Sequence, residues 1–382
     1  MKILFDATPL ALTGYHKGGA YRYGVEILSR LPALLPADWS LELYFNFFRK
    51  AHLERMREAV ALVGGPEHRL SRVHPRLLKA LHAPAEWTAG PHDLFHGAFD
   101  DVPPTRRATR VVTIQDLAFL RAPDGLPAEW VRVLARQVPA AARRAHRVLT
   151  GSEFSRQDIV QRLGVAPERV EVIPHGIPAG YAPPRDPAAD LVRLRERYGV
   201  EPGFLLYLGT LQPNKNVEGL CRAFQLLRAR GYAGQLVLAG SKGWLYDEMW
   251  ARIVARGDDQ GVVQTGFVDD ADIPRLYGNC AAFALVSLLE GFGIPVLEAM
   301  ACGAPVVVAD ACSLPEVAGG AGRLVDPHDA EAIAAALEDC ATPGPQRQAM
   351  VAAGIARAAR FTWDASAAGH VAAYRRAQES RA

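Results

Sequence analysis

Two patterns of apolar and polar residues alternate along this chain of 382 residues. Short apolar runs, such as residues 204–209, have the composition of strands that are buried on both faces of a parallel sheet. Longer segments between them, such as residues 217–230, repeat apolar residues every three or four positions, which predicts amphipathic helices. Strands separated by helices form βαβ units, so the pattern predicts an α/β protein with parallel sheets.

The predicted elements form two series along the chain. The first has strands at residues 2–6, 41–45, 94–96, 110–114, 147–150 and 170–173, and helices from about residue 20 and at residues 128–144 and 155–163. The second has strands at residues 204–209, 235–239, 262–265, 283–286 and 305–309, and helices at residues 217–230, 273–280 and 295–302. We therefore expect two doubly wound, Rossmann-like domains that bind ligands at the carboxyl ends of their strands.

The boundary between these domains is expected in a proline-rich stretch. Residues 177–187 contain four prolines and no periodicity, which is typical of a linker. The predicted organisation is an N-terminal domain of residues 1–180, a C-terminal domain of residues 181–362, and a closing helix in residues 363–382 that packs back on the domains. The two carboxyl edges are expected to face a shared interdomain cleft.

Composition narrows the class of protein. The sequence has no run of about 20 apolar residues, no signal-peptide pattern at its N-terminus, and five cysteines without a CxxC pair. We therefore expect a cytoplasmic protein without disulfides. Residues 1–180 carry 24 basic against 18 acidic side chains, and residues 181–382 carry 19 against 23. An imbalance of this size does not predict a nucleic-acid partner.

The positive charge is concentrated in residues 49–79, where eight basic side chains accompany three acidic ones. Two interpretations stay open for this stretch. It is either a solvated helical face or a surface for an anionic partner. The second interpretation predicts peripheral contact with an anionic membrane, at the inner face of the plasma membrane.

The segment with the most specific chemistry follows the predicted strand at residues 283–286. Glu290 lies on the loop after that strand, and Glu298 lies one turn into the next helix. Free N–H groups at a helix start suit a diphosphate, and carboxylates suit the vicinal hydroxyls of a hexose or a ribose. Either glutamate alone has an ordinary alternative role, as a helix-dipole or solvated residue. The residues between them that we expect to approach a ligand are Gly291, Phe292, Gly293 and Ile294.

This segment resembles the signature of the retaining glycosyltransferases of family four, group 1, which have the GT-B fold. Other segments resemble the same family in the same order, and together they extend over nearly the whole chain. They are the loop with Gly14, Gly18 and Gly19, and residues 151–155, 174–176 and 209–216. The resemblance implies a hexosyltransferase that uses a nucleoside-diphosphate sugar as donor substrate, needs no other cofactor, and acts on a glycan or lipid-linked acceptor. GDP-mannose is the first expectation for the donor, and a UDP-hexose is the second.

The resemblance also implies roles for individual residues. Glu290 would hold the hydroxyls of the donor sugar, Glu298 the ribose, and Lys215 the departing phosphates, whose negative charge grows during transfer. Thr210 and Asn214 stand where the family often has basic side chains, so one or two cationic contacts are missing. Further contacts with the phosphates and the nucleobase are expected from Gly18, Gly19, Val268 and Asp269.

Gln115 is a second departure, because similar enzymes often have a histidine there that faces the donor sugar. A glutamine cannot titrate, which fits a mechanism in which the donor phosphate accepts the proton of the acceptor. His96 ends a strand at the same edge and is predicted to contact the acceptor, with a structural histidine as the alternative. Asp270 and Asp272 match a short metal-binding pattern, but they precede a helix, where aspartate is a common cap, so no metal is predicted.

Two other functions stay open. A non-hydrolysing sugar-nucleotide epimerase can share this architecture, but it needs an acid/base pair at the sugar, and Gln115 removes one candidate. An inactive scaffold that binds a sugar nucleotide would explain the missing cations, whereas the presence of Glu290, Glu298 and Lys215 argues against it. The sequence contains neither a G-x-G-x-x-G dinucleotide fingerprint after the first strand nor a P-loop.

Overall fold

The structure is a computed structural model that describes residues 1–12 and 18–380. Gly14 lies outside the described residues. The chain forms two compact units, which differ slightly from a simple division into two consecutive halves. Unit 1 consists of Met1–Leu117, Arg132–Gly176 and Thr362–Ala382, and unit 2 consists of Ala118–Val131 and Ile177–Phe361.

Unit 1 is built on a seven-stranded parallel sheet. Its strands are β1 Lys2–Asp6, β2 Ser40–Asn46, β3 His68–Ser71, β4 Leu94–Gly97, β5 Thr109–Thr113, β6 Arg147–Thr150 and β7 Val170–Val172. Their order across the sheet is β3-β2-β1-β4-β5-β6-β7. The winding changes direction between β1 and β4, and this is the position at which doubly wound sheets bind ligands.

Unit 2 has a six-stranded parallel sheet of the same kind. Its strands are β8 Leu205–Leu208, β9 Leu236–Ala239, β10 Val262–Gly266, β11 Ala282–Leu285, β12 Val306–Ala309 and β13 Arg323–Val325. They are ordered β10-β9-β8-β11-β12-β13, with the change of direction between β8 and β11. Two parallel, doubly wound sheets confirm the predicted fold class.

Helices connect the strands in both units. In chain order they are α1 Thr8–Ala11, α2 Gly19–Leu34, α3 Leu53–Leu62, α4 Pro75–Ala80, α5 Glu86–Ala89, α6 Ala118–Arg121, α7 Ala128–Arg144, α8 Glu153–Leu163, α9 Pro187–Tyr198, α10 Val217–Ala229, α11 Tyr246–Ala255, α12 Ile273–Asn279, α13 Ile294–Ala301, α14 Leu314–Ala318, α15 Ala330–Ala341, α16 Pro345–Ala358 and α17 Trp363–Glu379. Strand cores such as β4, β9, β11 and β12 are buried throughout. This burial explains their apolar runs, because both faces of each sheet are covered by helices.

The last helix packs within unit 1. Thr362 caps α17, because its Oγ1 accepts a hydrogen bond from the backbone N–H of Ala365 at 3.1 Å. The start of α17 lies directly against Gly176, where an added Cβ would come within 2.1 Å of the backbone nitrogen of Trp363. Only glycine permits this approach, which explains the glycine of the Pro-His-Gly turn at residues 174–176.

Candidate active site

The carboxyl edge of the unit 2 sheet brings together the two segments with the most specific predicted chemistry. Because β8 and β11 are neighbours, the loop at residues 209–216 lies beside the loop at residues 286–293. Leu288 donates its backbone N–H to the carbonyl of Asn214 at 2.9 Å. Asn216 donates its Nδ2 to the carbonyl of Val286 at 3.0 Å. These bonds hold both loops at the position where the winding of the sheet changes direction.

Glu290 and Lys215 form an ion pair between these loops. Lys215 Nζ lies 2.7 Å from Glu290 Oε1, and the Ser287 hydroxyl donates to the same oxygen at 2.9 Å. The two charged side chains are only 21% and 12% exposed, so the pair lies in a partly desolvated position. Within the part of the chain that the structure describes, no hydrogen bond is made to Glu290 Oε2. That oxygen is therefore available to a ligand.

Backbone geometry fixes the start of α13, where Gly291, Phe292, Gly293 and Ile294 lie. Gly293 has a φ of 101°, which other residues rarely adopt, and a Cβ there would meet Leu314 Cδ2 at 2.6 Å. The Ser313 hydroxyl lies 3.0 Å from both the Glu290 and the Phe292 carbonyl oxygens. The Phe292 and Ile294 side chains are buried, so these residues can offer a ligand their backbone only.

Glu298 lies in the second turn of α13 and is 1% exposed. Its Oε2 accepts a hydrogen bond from the Tyr277 hydroxyl at 3.1 Å. A buried carboxylate is costly unless polar partners surround it, so this position favours a specific role over that of a solvated helix residue. Its contact with a ribose stays a prediction.

Thr210 and Asn214 lie in the same loop as Lys215. The Tyr207 hydroxyl donates to the Thr210 carbonyl at 2.9 Å, which ties the loop to the end of β8. Asn214 Oδ1 is buried and makes no hydrogen bond to any residue that the structure describes. Lys215 is the single basic side chain among residues 209–216, all of which are described, so it alone supplies positive charge to this loop.

Val268 and Asp269 follow β10 at the same edge of the sheet. Val268 is buried, whereas Asp269 is exposed and forms an ion pair with Arg197. The Asp269 backbone N–H also donates to the Tyr198 hydroxyl at 3.3 Å. The Val268 side chain therefore belongs to the core, and the predicted contact of this turn with a nucleobase stays a prediction.

The structure corrects the expectation that Asp272 caps the helix that follows it. Asp272 precedes α12, but its carboxylate does not cap the helix. It is fully buried and accepts hydrogen bonds from Arg193 Nε at 2.6 Å, Arg197 Nη1 at 2.8 Å and the Tyr198 hydroxyl at 2.9 Å. Burial alone would raise the pKa of this carboxyl, but the hydrogen bonds from Arg193 and Tyr198, together with the positive charges of Arg193 and Arg197, lower it below its usual value. Cationic side chains thus surround the aspartate of the metal-like pattern.

No group of three or more His, Cys, Asp or Glu side chains that could hold a metal ion occurs among the described residues. The same part of the chain contains no helix long and apolar enough to cross a membrane.

Gly18 and Gly19 stand in unit 1, where the chain enters α2 after β1. Gly18 precedes the helix in an extended conformation, and Gly19 is its first residue. A Cβ added at either glycine would meet no described atom within 4 Å. Packing within the described chain therefore does not require glycine at either position. Close approach of a ligand would explain why both residues are glycine. The contact of Gly18 and Gly19 with the donor stays a prediction.

His96 is fully buried, which argues against the predicted contact with an acceptor. Its Nδ1 lies 2.7 Å from the Tyr374 hydroxyl, and its Nε2 lies 2.8 Å from the Thr113 hydroxyl. Burial holds the pKa of His96 well below its usual value, so the ring is neutral. Because both ring nitrogens are used inside unit 1, the structural role is the one that this geometry supports.

His96 belongs to a buried chain of hydrogen bonds that the sequence did not predict. His370 Nδ1 lies 2.8 Å from the Ser366 carbonyl oxygen, and because a carbonyl can only accept a hydrogen bond, Nδ1 carries the proton. The other nitrogen of the neutral ring, Nε2, therefore accepts a hydrogen bond from the Tyr23 hydroxyl at 2.8 Å. Tyr23 then accepts from Thr113, at 2.8 Å. The available signal was the spacing of four residues between Ser366, His370 and Tyr374, which places them on one face of α17.

Gln115 lies just after β5, near this chain. Its Oε1 accepts a hydrogen bond from His175 Nε2 at 2.9 Å, and its backbone N–H donates to Asp100 Oδ1 at 3.2 Å. Burial lowers the pKa of His175 to about 3, so this donor is a neutral imidazole. Gln115 Nε2 has no hydrogen-bond partner in the described chain. A donor group is thus present at this position, and its contact with a sugar stays a prediction.

Two family models match consecutive parts of the chain. The model for Glycosyltransferase Family 4 matches residues 18–180, and the model for Glycosyl transferases group 1 matches residues 194–357. The chain is 32% identical to O-antigen chain mannosyltransferase B of Escherichia coli, over 95% of this chain and 97% of that protein. It is 30% identical to a D-inositol 3-phosphate glycosyltransferase of Kineococcus radiotolerans, over 79% and 75% of the two chains.

Solved structures show the same fold. The Anabaena protein HepE, in a crystal structure with UDP and glucose, has a TM-score of 0.72 and 23% identity, over 98% of this chain and 99% of that one. WaaG, a glycosyltransferase involved in lipopolysaccharide biosynthesis, has a TM-score of 0.64 and 18% identity, over 98% of both chains.

Proposed function

The chain belongs to the group 1 glycosyltransferases of family four, and on that premise we propose that it transfers mannose from GDP-mannose to a glycan or lipid-linked acceptor. The observation that carries this proposal is the Lys215–Glu290 pair beside α13, at the position where doubly wound sheets bind ligands. The choice of mannose is supported by the similarity to a mannosyltransferase over 95% of the chain.

In this proposal Glu290 holds the transferred sugar and Lys215 stabilises the leaving group. An ammonium group has three donors, and Glu290 occupies one of them, so Lys215 can still donate to a phosphate. Charge on the phosphates grows as the sugar departs, and a cation held in place by its partner needs little reorganisation to stabilise it. Glu298 accepts the hydroxyls of the ribose, and the sugar retains its configuration.

The proton of the acceptor passes to a phosphate oxygen of the donor. The Gln115 amide does not titrate, and His96 is buried and neutral, so neither residue is suited to act as a general base. The phosphate oxygens become more basic while the glycosidic bond breaks, which makes them suitable acceptors for this proton.

The alternative functions are less well supported. The matching families and the relatives are glycosyltransferases, so an epimerase is not favoured. An inactive scaffold has no need for a lysine and a glutamate held 2.7 Å apart at this edge of the sheet.

A panel of nucleotides tests the donor. Thermal unfolding should be measured with GDP, UDP, GDP-mannose and UDP-glucose, because a ligand at 100 times its Kd stabilises the folded state by about 2.7 kcal/mol. We expect the guanine nucleotides to raise Tm most and GDP-mannose to donate a hexose to mannoside acceptors, with and without EDTA. If UDP raised Tm more than GDP, the proposed donor would be a UDP-hexose in place of GDP-mannose. Conversion of GDP-mannose to another sugar nucleotide without acceptor would indicate an epimerase.

Peripheral membrane contact is a second part of the proposal, because a lipid-linked acceptor lies at a membrane. Exposed apolar side chains lie within the basic stretch and directly beside its two ends, with Phe48 at 60%, Leu77 at 53% and Leu81 at 57% exposure. Arg72 and Arg76 are exposed in the same stretch. Basic residues near an anionic surface contribute about 1 kcal/mol each, so this combination fits an anionic lipid headgroup region.

Vesicle flotation tests this contact. The protein should bind vesicles with phosphatidylglycerol but not vesicles of phosphatidylcholine alone, and salt should release it because screening is strong beyond about 10 Å at 0.1 M. Arg72→Gln with Arg76→Gln should weaken binding, whereas Arg222→Gln with Arg360→Gln in unit 2 removes equal charge as a control. Equal loss in both variants would show that only net charge matters.

A further inference from the structure

Two tryptophans lie against each other at the carboxyl edge of the unit 2 sheet. Trp244 lies in the loop after β9, and Trp130 lies in the first turn of α7. Their rings meet edge to face, with centroids 5.4 Å apart and an interplanar angle of 61°. Trp244 Nε1 also donates a hydrogen bond to the Gly125 carbonyl at 2.6 Å. Both rings are thereby held in defined positions.

The tryptophan pair is connected to the loop that carries Lys215. Gly125 is close to Asn214, because a Cβ added to Gly125 would lie 3.6 Å from the Asn214 Cβ. Asn214 directly precedes Lys215. The loop of Trp244 is joined to the same segment, since Gly243 donates its N–H to the Leu211 carbonyl at 2.9 Å. The aromatic pair is therefore connected to the same loop, residues 209–216, that carries Lys215 of the charged pair.

Trp130 leaves 49% of its surface exposed, although Trp is a residue that usually contributes a large buried area. Binding surfaces often present a large apolar ring that is fixed and exposed beside polar groups. Because the ring is already fixed, its side chain loses little conformational entropy when a ligand covers it. One face of a pyranose carries C–H groups and is itself apolar, which suits it to an indole ring. The hydroxyls at the edge of the sugar remain available for hydrogen bonds.

The proposed reaction brings four rings to this edge of the sheet: the donor sugar, the ribose, the nucleobase and the acceptor sugar. Of these, the acceptor sugar is the best candidate to bind the aromatic pair. The proposed function assigns the donor sugar to Glu290 and the ribose to Glu298, and the nucleobase lies beyond the ribose. The ring that must approach the donor sugar from outside is the acceptor. We propose that Trp130 and Trp244 form a stacking platform for a pyranose of the acceptor glycan, an inference that rests on the proposed transferase function.

Acceptor kinetics test the platform. With GDP-mannose as donor and α-linked mannobiose and mannotriose as acceptors, Trp130→Ala should raise the acceptor KM about tenfold, which corresponds to 1.4 kcal/mol. The Kd of GDP should stay within about twofold, because the platform does not contact the nucleotide. Trp130→Phe should recover much of the affinity. Trp244→Phe keeps an aromatic ring but removes the hydrogen bond to Gly125, so a smaller rise in KM is expected.

The matched control is Trp87→Ala, because Trp87 is 56% exposed but lies in α5 of unit 1, next to Arg106. Unchanged acceptor KM in Trp130→Ala, or an equal rise in Trp87→Ala, would overturn the platform. A parallel loss of GDP affinity would assign the rings to the nucleobase and would also overturn it. Should the wild-type transfer no sugar, the proposed function fails, and saturation-transfer NMR with mannotriose still decides whether Trp130 binds the glycan.

Discussion

Acidification from pH 7 to pH 5 should destabilise the wild-type protein more than a His370→Gln variant. His370 is almost fully buried, with Nδ1 bonded to the Ser366 carbonyl and Nε2 to the Tyr23 hydroxyl. Burial lowers its pKa from 6.5 to about 4, so the folded protein keeps the ring neutral at pH 5. Glutamine offers similar hydrogen-bonding groups but takes up no proton in either state.

The magnitude follows from the difference in bound protons. In the unfolded chain the ring titrates near 6.5, so at pH 5 the unfolded state binds almost one proton more than the folded state. A lowered pKa thus contributes stability that is lost as the pH falls below 6.5 and on toward 4. Integration between pH 7 and pH 5 gives a loss of about 1.8 kcal/mol for this one histidine.

Other buried groups titrate in the same interval. His96 and His175 act in the same direction as His370, since burial lowers both pKa values. Asp100 acts oppositely: burial raises its pKa to about 7, so the folded state gains a proton as the pH falls. Both proteins share these groups, so most of their contribution cancels when the two are compared at each pH. His370 also lowers the pKa values of His96 and His175, so the measured difference includes its effect on those two rings.

Urea unfolding at both pH values provides the assay. With a slope of about 2–3 kcal/mol per molar urea, the midpoint of the wild-type should fall by about 0.6–0.9 M more than that of the variant. His328→Gln, which removes an exposed histidine from unit 2, should follow the wild-type. If the wild-type and His370→Gln midpoints shift equally with pH, His370 is not held neutral by burial, and the proposed direction of the hydrogen-bond chain loses its support.

Three further predictions concern the site. Glu290→Gln should lower turnover by about 10²–10³-fold while the Kd of GDP stays nearly constant, because its partner is the sugar; equal losses in kinetics and calorimetry would contradict that assignment. Glu298→Ala should weaken GDP binding by about 1.5–3 kcal/mol in calorimetry, and an unchanged Kd would leave Glu298 as a structural partner of Tyr277. Lys215→Ala should slow transfer sharply but change the urea midpoint little, because partly exposed ion pairs contribute little to stability; wild-type turnover would show that another group stabilises the leaving phosphates.

Most strands were predictable because burial on both faces leaves an apolar run in the sequence. β3 and β13 were missed because each lies at an edge of its sheet, where three of the four residues of β3 and two of the three of β13 are not buried. Residues 118–131 were predicted in the N-terminal domain, yet they belong to unit 2. The hydrogen bond from Trp244 to Gly125 helps to place them there, and no local pattern encodes a contact across 119 residues.

The candidate site was predictable at the level of its loops. Glu290, Glu298 and Lys215 follow two buried strands, and strand order brings these loops together, so their residue types and positions indicated one site. The sequence did not predict that Lys215 and Glu290 pair directly, because loop conformation decides that contact. For His96 the sequence left two roles open, a contact with the acceptor and a structural histidine, because the end of a strand can face either solvent or a packed helix. The burial of His96 favours the structural role.

The sequence by itself determined the α/β class, the positions of the loops at the carboxyl ends of the strands, and the chemical groups in those loops, because periodicity and turn residues are local properties. Tertiary structure alone decided which side chains meet. Tyr374 approaches His96 across 278 residues, and His370 approaches Tyr23 across 347, only because α17 packs against the rest of unit 1. The spacing of Ser366, His370 and Tyr374 shows that these residues share one face of α17, but it does not show which residues that face meets, because that depends on how whole helices pack on a sheet.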